Sequence, residues 1–214
     1  DEIFAGYDRF KASRLNRYFR TVPRPLRHAL IDALVRLLPD RPQKKGAINM
    51  LKRFLQGARL PEAGAHLRWQ FFGGAEQDRQ LFTADFLGRV NPAPFRQVAE
   101  YLARCDGADA VNRELYLDTR FMMADSVLMK VDKMSMASSL EIRVPLLDHP
   151  LVEFMAALPG DWKLKGFRTK HLFRAALKGV LPDSILERGK QGYSLPVKNL
   201  LRTDFREWMI GLLH

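Results

Sequence analysis

The stretch ADAVNRELYLDTRFMMADSVLMKVDKMSMASSLEIRVP, residues 108–145, decides the fold. After Gly107 neither Pro nor Gly interrupts it before Pro145, and the pattern predicts one long helix from about Ala108 to Ser138. From Leu140 to Pro145 apolar and charged residues alternate with period two, the one part of the chain that reads as extended. Glu141 and Arg143 then project from the same side, and Pro145 stops further pairing. Upstream, Pro23 and Pro25 open a helix that Pro39 closes. Further helices are predicted for Asn49 to Gln56, for Pro61 to Phe71 with Gly73-Gly74 as its stop, and for Pro94 to Cys105. Downstream, Asp148 reads as the N-cap of a helix over Leu151 to Leu158. Others are expected near 169–178, 182–188 and 196–213. Residues 39–46 (PDRPQKKG) read as a flexible loop, and no internal repeat is present. The whole is mainly α: either an all-α domain, or the helical part of an α/β domain whose sheet lies outside these residues.

Composition narrows the function. The 214 residues are 47 % hydrophobic and 28 % charged, enough for a buried core. Cys105 is the only cysteine, which excludes an internal disulfide and a thiolate zinc cluster and fits a cytoplasmic chain. No apolar run approaches the ~20 residues that span a bilayer, and no signal peptide is expected. The net charge is +11, with 19 Lys and Arg against 11 Asp and Glu in residues 1–107, and 16 against 13 in 108–214. Such an excess suits a nucleic acid, a membrane surface or an anionic ligand. Arg9, Arg14 and Arg17 are spaced for a helix. They read as a solvated basic face, or as phosphate contacts of a nucleic-acid-binding module.

The search for chemistry is selective. The five His show no metal-ligand spacing and read as partly exposed. No nucleophile elbow or Gly-rich phosphate loop is present. Cys105 reads as a small thiol without a catalytic partner. Thr169 reads as the N-cap of a helix whose start is crowded by Lys165, Arg168, Lys170 and His171. Cations there conflict with the helix dipole, as expected where an anion is held, or else they are solvated side chains. Lys130, Asp132 and Lys133 lie in a segment with five of the eight Met, either an adaptable groove or core packing.

Residues 127–149 (VLMKVDKMSMASSLEIRVPLLDH) resemble the asparagine synthase family pattern LLxKxDRMSMAxSLExRVPFLDH. Lys170 falls in a stretch similar to G-x-x-K-x-x-L-R. Residues 190–196 resemble the family's RPKQGFxxP loop, and residues 1–7 resemble the tail of SGxGxDExFGGY. The likeness is strong over 108–214 and looser over the basic 1–107. It implies that 1–214 is the helical C-terminal half of an α/β synthetase domain of the ATP-pyrophosphatase type (adenine nucleotide alpha hydrolase-like). The glutaminase, the SGGxDS loop and the residues before Asp1 would lie elsewhere in a longer protein.

The resemblance implies an amidoligase that uses ATP and Mg²⁺. Aspartate would be converted to asparagine through an acyl-adenylate and glutamine-derived ammonia, with the rest of the synthetase and the glutaminase as partners and a homodimer as a possible assembly. It assigns Asp1 to Mg²⁺, Glu2 and Lys170 to catalysis, and Glu141, Arg143, Lys130, Asp132 and Lys190 to substrate and nucleotide binding. Lys133 replaces the usual Arg, Gly189 the usual Pro and Ala5 the usual Gly, which leaves open a relative that amidates or cyclises another carboxylate. A member with only a structural role is a further alternative. The 214 residues alone are expected not to turn over: measured with ATP and aspartate, they should release no pyrophosphate, and robust release would refute the assignment.

Overall fold

The computed structural model describes residues 1–38, 46–70, 75–90, 96–105, 108–189 and 197–213. The chain is mainly α, as predicted. Among the described residues no β-strand forms; there are only isolated bridges, Lys165 to Arg168 and Lys178 to Leu181. Helix α1 spans Asp8–Phe19, α2 Arg24–Leu37, α3 Ala47–Arg59 and α4 Glu62–Leu67. Three further helices follow, α5 (Ala75–Leu81), α6 (Ala84–Arg89) and α7 (Arg96–Ala103).

The predicted long helix is present and begins on a cap. Asp109 accepts hydrogen bonds from the Val111 N–H at 2.9 Å and the Asn112 N–H at 3.0 Å. From there α8 (Ala110–Leu117) runs without a break through a π-helical stretch (Asp118–Leu128) into α9 (Met129–Met136). It ends where Ser139 turns left-handed at φ 54°. The Leu140 N–H then reaches the Ser135 carbonyl at 2.9 Å and the Ser139 N–H that of Met136 at 3.0 Å, which satisfies carbonyls the helix leaves open.

Beyond it, a 3₁₀ turn (Pro145–Leu147) leads into α10 (His149–Ala157). Short helices α11 (Gly160–Lys163), α12 (His171–Ala176), α13 (Asp183–Leu186) and α14 (Val197–Leu200) precede α15 (Arg206–Leu213).

Three local expectations are corrected. Residues 140–144 take no regular secondary structure and pair with no strand, and Leu140, Ile142 and Val144 are exposed along with Glu141 and Arg143. Alternation signals a half-buried strand only when a neighbouring strand covers one face. Asp148 does occupy the N-cap position of α10, but its carboxylate accepts no capping bond, and the helix starts at His149 rather than Leu151. The residue capping α12 is Lys170, not Thr169; Thr169 is buried one position earlier. The 39–45 part of the predicted loop, the Gly73-Gly74 stop and the 190–196 loop lie outside the described residues.

Apolar packing is divided among small clusters. Ala5, Phe10, Val111, Leu115 and Leu164 form one, and Ile3, Phe4 and Met155 another. Ile31, Leu55 and Ala58 bind α2 to α3, and Leu67, Val98 and Leu117 bind α4 and α7 to α8.

Between them lies a buried polar network that the sequence did not announce. The Asp118 carboxylate accepts from Arg9 Nε at 3.0 Å and Nη2 at 2.7 Å on one oxygen. On the other it meets His66 Nε2 at 2.8 Å and Gln70 Nε2 at 2.9 Å. With Nε2–H donating, His66 Nδ1 remains for the Ser13 hydroxyl at 3.0 Å. Arg17 Nη1 donates to Glu114 Oε1 at 2.9 Å. His66 and Asp118 are both 0 % exposed, so the expectation of a partly exposed histidine fails at His66. The expected solvated basic face fails as well. Arg9 and Arg17 point inward because one face of α1 is covered by α4 and α8, and carboxylates wait there.

Burial pushes Asp118 up, but His66 and Arg9 outweigh it and hold the carboxyl below its ordinary value. Glu114 goes the other way. Burial dominates, His66, Arg17 and Ser13 only partly offset it, Asp118 adds repulsion, and the carboxyl is pushed up to about 7. The folded protein therefore holds a proton on Glu114 that the unfolded chain has already released. That stability is present at low pH and is lost as pH rises toward about 7. Glu114→Gln keeps an acceptor for Arg17 but removes the titration. Denaturant unfolding should show the variant gaining on the parent from about pH 5 to about pH 8, by at most roughly 3 kcal/mol. A constant difference would refute the linkage.

Candidate functional site

The first six residues form a tight turn that the two apolar clusters grip from either side. Ile3 and Phe4 pack against α10 and α12, with the Phe4 and Phe173 rings 4.5 Å apart. Ala5 is buried in the other direction, against α1 and α8. The Gly6 N–H closes the turn on the Asp1 carbonyl at 2.9 Å. This grip brings the start of the chain to the start of α12.

There Lys170 Nζ meets Asp1 Oδ1 at 2.5 Å. Lys170 adopts the left-handed conformation, φ 54° and ψ 33°, which is uncommon for a side-chain-bearing residue and typical of functional positions. Glu2 is buried beside the pair and accepts a hydrogen bond from the Tyr7 hydroxyl at 2.5 Å. Burial pushes the Glu2 carboxyl up, and the hydrogen bond from Tyr7 pulls it down. Burial and the same bond push the Tyr7 phenol far up, so it stays an O–H donor. Gly6 is required for this closeness: a Cβ there would overlap both the Asp1 carboxylate and the Lys170 side chain.

Of the residues singled out from sequence, the structure brings Asp1, Glu2 and Lys170 together. Glu141 and Arg143 do lie on one side and form an ion pair with each other, but at 68 % and 87 % exposure they line no closed cleft. Lys130 and Asp132 are exposed on α9, and Lys190 lies outside the described residues. The helix-start argument for Lys170 loses force, since α12 has only six residues. What places Lys170 is its pairing with Asp1.

Several contributors were missed. Arg14 donates to the Leu164 carbonyl at 2.8 Å and the Gly166 carbonyl at 2.7 Å, and pairs with Asp161 at 2.6 Å. It thereby holds the loop that leads to Lys170. Lys163 is buried and donates to Asn112 Oδ1; burial lowers it to about 8 despite Asp109. A cavity of about 370 Å³ opens between Arg14, Arg17, Asp109 and Asp161, but Asp1, Glu2 and Lys170 do not line it. Cys105 is half-buried and burial pushes its thiol up, the opposite of an activated nucleophile.

Among the described residues no group of three His, Cys, Asp or Glu is arranged to hold a metal unaided. No described helix is long and apolar enough to cross a membrane. The hard oxygen donor of the pair is the Asp1 carboxylate, a ligand type that suits Mg²⁺, whereas the Lys170 ammonium is cationic and binds no metal.

The comparisons give it a lineage: the chain belongs to the asparagine synthase family, whose model matches residues 1–214. It is 28 % identical over 216 residues to "Asparagine synthetase [glutamine-hydrolyzing] 1" of Bacillus subtilis, covering 100 % of this chain and 32 % of that protein. It is 34 % identical over 220 residues to "Amidase chyE" of Penicillium rubens, covering 92 % of this chain and 31 % of that protein. Over 87 residues it is 41 % identical to "Asparagine synthetase [glutamine-hydrolyzing] 3" of Bacillus subtilis, 41 % of this chain and 14 % of that protein. The chain thus spans about a third of the length of the relatives it matches end to end. No solved structure matches it.

A methyl group at residue 6 tests the geometry. Gly6→Ala should lower stability by roughly 1–3 kcal/mol, read as a drop in the thermal midpoint. Gly88→Ala, where a Cβ meets nothing, should leave the midpoint unchanged or raised. Equal effects of the two substitutions would refute the close packing at Gly6.

Proposed function

We propose that this chain contributes the Asp1–Glu2–Lys170 part of the active site of an ATP-dependent amide-forming ligase. The carboxylate of the substrate, aspartate in the reading the relatives favour, attacks the α-phosphorus of ATP and pyrophosphate leaves. Ammonia from glutamine then attacks the acyl carbon, and AMP leaves. The observation that carries this reading is the Lys170–Asp1 pair over Gly6, inside two motif matches at opposite ends of the chain.

Lys170 would offset the negative charge that grows on the phosphoryl oxygens as the acyl-adenylate forms. Asp1 is the residue that would hold Mg²⁺, which when bound neutralises phosphate charge. In the structure as it stands Asp1 and Lys170 neutralise each other, which keeps a buried carboxylate and a half-buried ammonium from standing uncompensated. Glu2 is held beside them by the Tyr7 hydroxyl. Glu141 and Arg143, as an exposed pair, would meet the carboxylate substrate.

A second reading, a relative that amidates a different carboxylate, is favoured by the likeness to a protein named an amidase and by Lys133 in place of Arg. The nucleic-acid reading loses its main support, because Arg9, Arg14 and Arg17 are engaged within the fold.

The test uses the full-length protein with ATP, glutamine and a panel of carboxylic acids, following AMP and pyrophosphate. Aspartate-dependent release is expected, and Lys170→Ala should lower its turnover by about 10²–10³-fold. Release driven only by another acid would select the second reading. Unchanged turnover in the variant would remove Lys170 from the chemistry.

A further inference from the structure

Tyr7 closes the motif at the start of the chain, and neither the resemblance nor the proposed chemistry gives it a task. Its hydroxyl donates to Glu2 Oε1 at 2.5 Å. Its ring lies under the Arg9 guanidinium, whose central carbon is 4.0 Å from the ring centre. Arg9 in turn is fixed by both of its bonds to Asp118, and its Nη2 also donates to Met122 Sδ at 3.0 Å. Asp118 is fixed by His66 and Gln70. A continuous series of side-chain contacts therefore runs from Glu2 to the most buried part of the protein.

We propose that Tyr7 is a positioning residue for the Glu2 carboxylate, and that Arg9, locked by Asp118, holds Tyr7 in place. The inference rests on the ligase reading for what Glu2 does, but the contact itself stands apart from it. Glu2 sits in a turn with no helix or strand to fix its side chain. A carboxylate there has several rotamers open to it, and the phenol selects one. The phenol can do so only if its own ring is held, and a rigid, doubly bonded guanidinium on its face provides that. Packing alone would make Tyr7 one more neighbour of the cluster around Phe10. In that case its hydroxyl would be dispensable.

Tyr7→Phe removes the hydroxyl and keeps the ring. In the full-length protein, urea midpoints are compared for Tyr7→Phe, Glu2→Ala and the double variant. The expected result is non-additivity, the double variant losing no more than the worse single one. Additive losses would overturn the proposal. Turnover is read in parallel: kcat of Tyr7→Phe should fall about ten- to a hundredfold while KM for ATP stays within about twofold. An unchanged kcat in an active parent would overturn the positioning role. Arg9→Lys should fall in the same way, because an ammonium cannot make the double bond to Asp118 that fixes the ring's partner; a kcat equal to the parent's would overturn Arg9's part in it. An inactive parent would defeat the ligase reading instead, and the midpoints would still decide whether Tyr7 holds Glu2.

Discussion

Arg9 and Asp118 stand 109 residues apart in sequence and meet inside the protein, where neither has water to fall back on. Each is tolerable only because of the other and of the groups behind it. The guanidinium brings two N–H bonds to one carboxylate oxygen, and His66 and Gln70 occupy the second. Removing one member of such a buried set leaves an uncompensated charge and typically costs about 3–5 kcal/mol. The pair also fixes geometry. It joins α1 to the long helix at the residue where α-helical winding gives way to the π-helical stretch. One turn earlier, Arg17 and Glu114 repeat the junction. Arg9, Ser13 and Arg17 recur at intervals of four, so a single face of α1 supplies every contact it makes to this network.

That junction determines what the start of the chain can do. With α1 fixed, Tyr7 and the six residues before it have little freedom, and the apolar clusters complete the constraint. Ala5 shows how tightly the turn is drawn. It is fully buried and adopts φ 52°, a region where a Cβ costs about 1–2 kcal/mol. The family pattern has Gly at this place, and the conformation explains why. In this chain the methyl group recovers part of the cost by packing against Phe10, Val111, Leu115 and Leu164.

The helices were largely legible in the sequence, because apolar spacing and Pro or Gly punctuation act locally. The long helix from 110 to 136 follows from an unbroken run with Asp109 to cap it. Its π-helical middle was not legible, since hydrogen-bond register leaves no mark on apolar spacing. Helix α6 was overlooked although Thr83 caps it, accepting from the Phe86 N–H at 3.2 Å, a signal that was there to read. In the candidate site, Asp1, Glu2 and Lys170 were legible through motif resemblance. Arg9, His66, Glu114 and Asp118 were not. Each is an ordinary polar residue until the partner arrives from a distant part of the chain. Helical spacing alone cannot tell a buried charged face from a solvated one, because both have the same period.

The basic excess of the first half has a similar origin. An arginine that pairs with an ionised carboxylate cancels its own charge, as Arg9 does with Asp118. An arginine that serves backbone carbonyls does not, because a carbonyl is neutral. Arg20 donates to the Leu60 carbonyl, Arg27 to that of Arg20 at 3.3 Å, and Arg14 to two carbonyls in the loop before Lys170. Each secures the end of a helix or the course of a loop with a fork that lysine lacks. A bond to a carbonyl cancels none of the guanidinium charge, although Arg14 also pairs with Asp161. A small helical protein that ties its turns together with arginine therefore becomes basic as a consequence of its architecture. Its net charge then says less about a partner than individual side chains do, and Lys170 stands out among them by its backbone conformation, its glycine neighbour and its acidic partner.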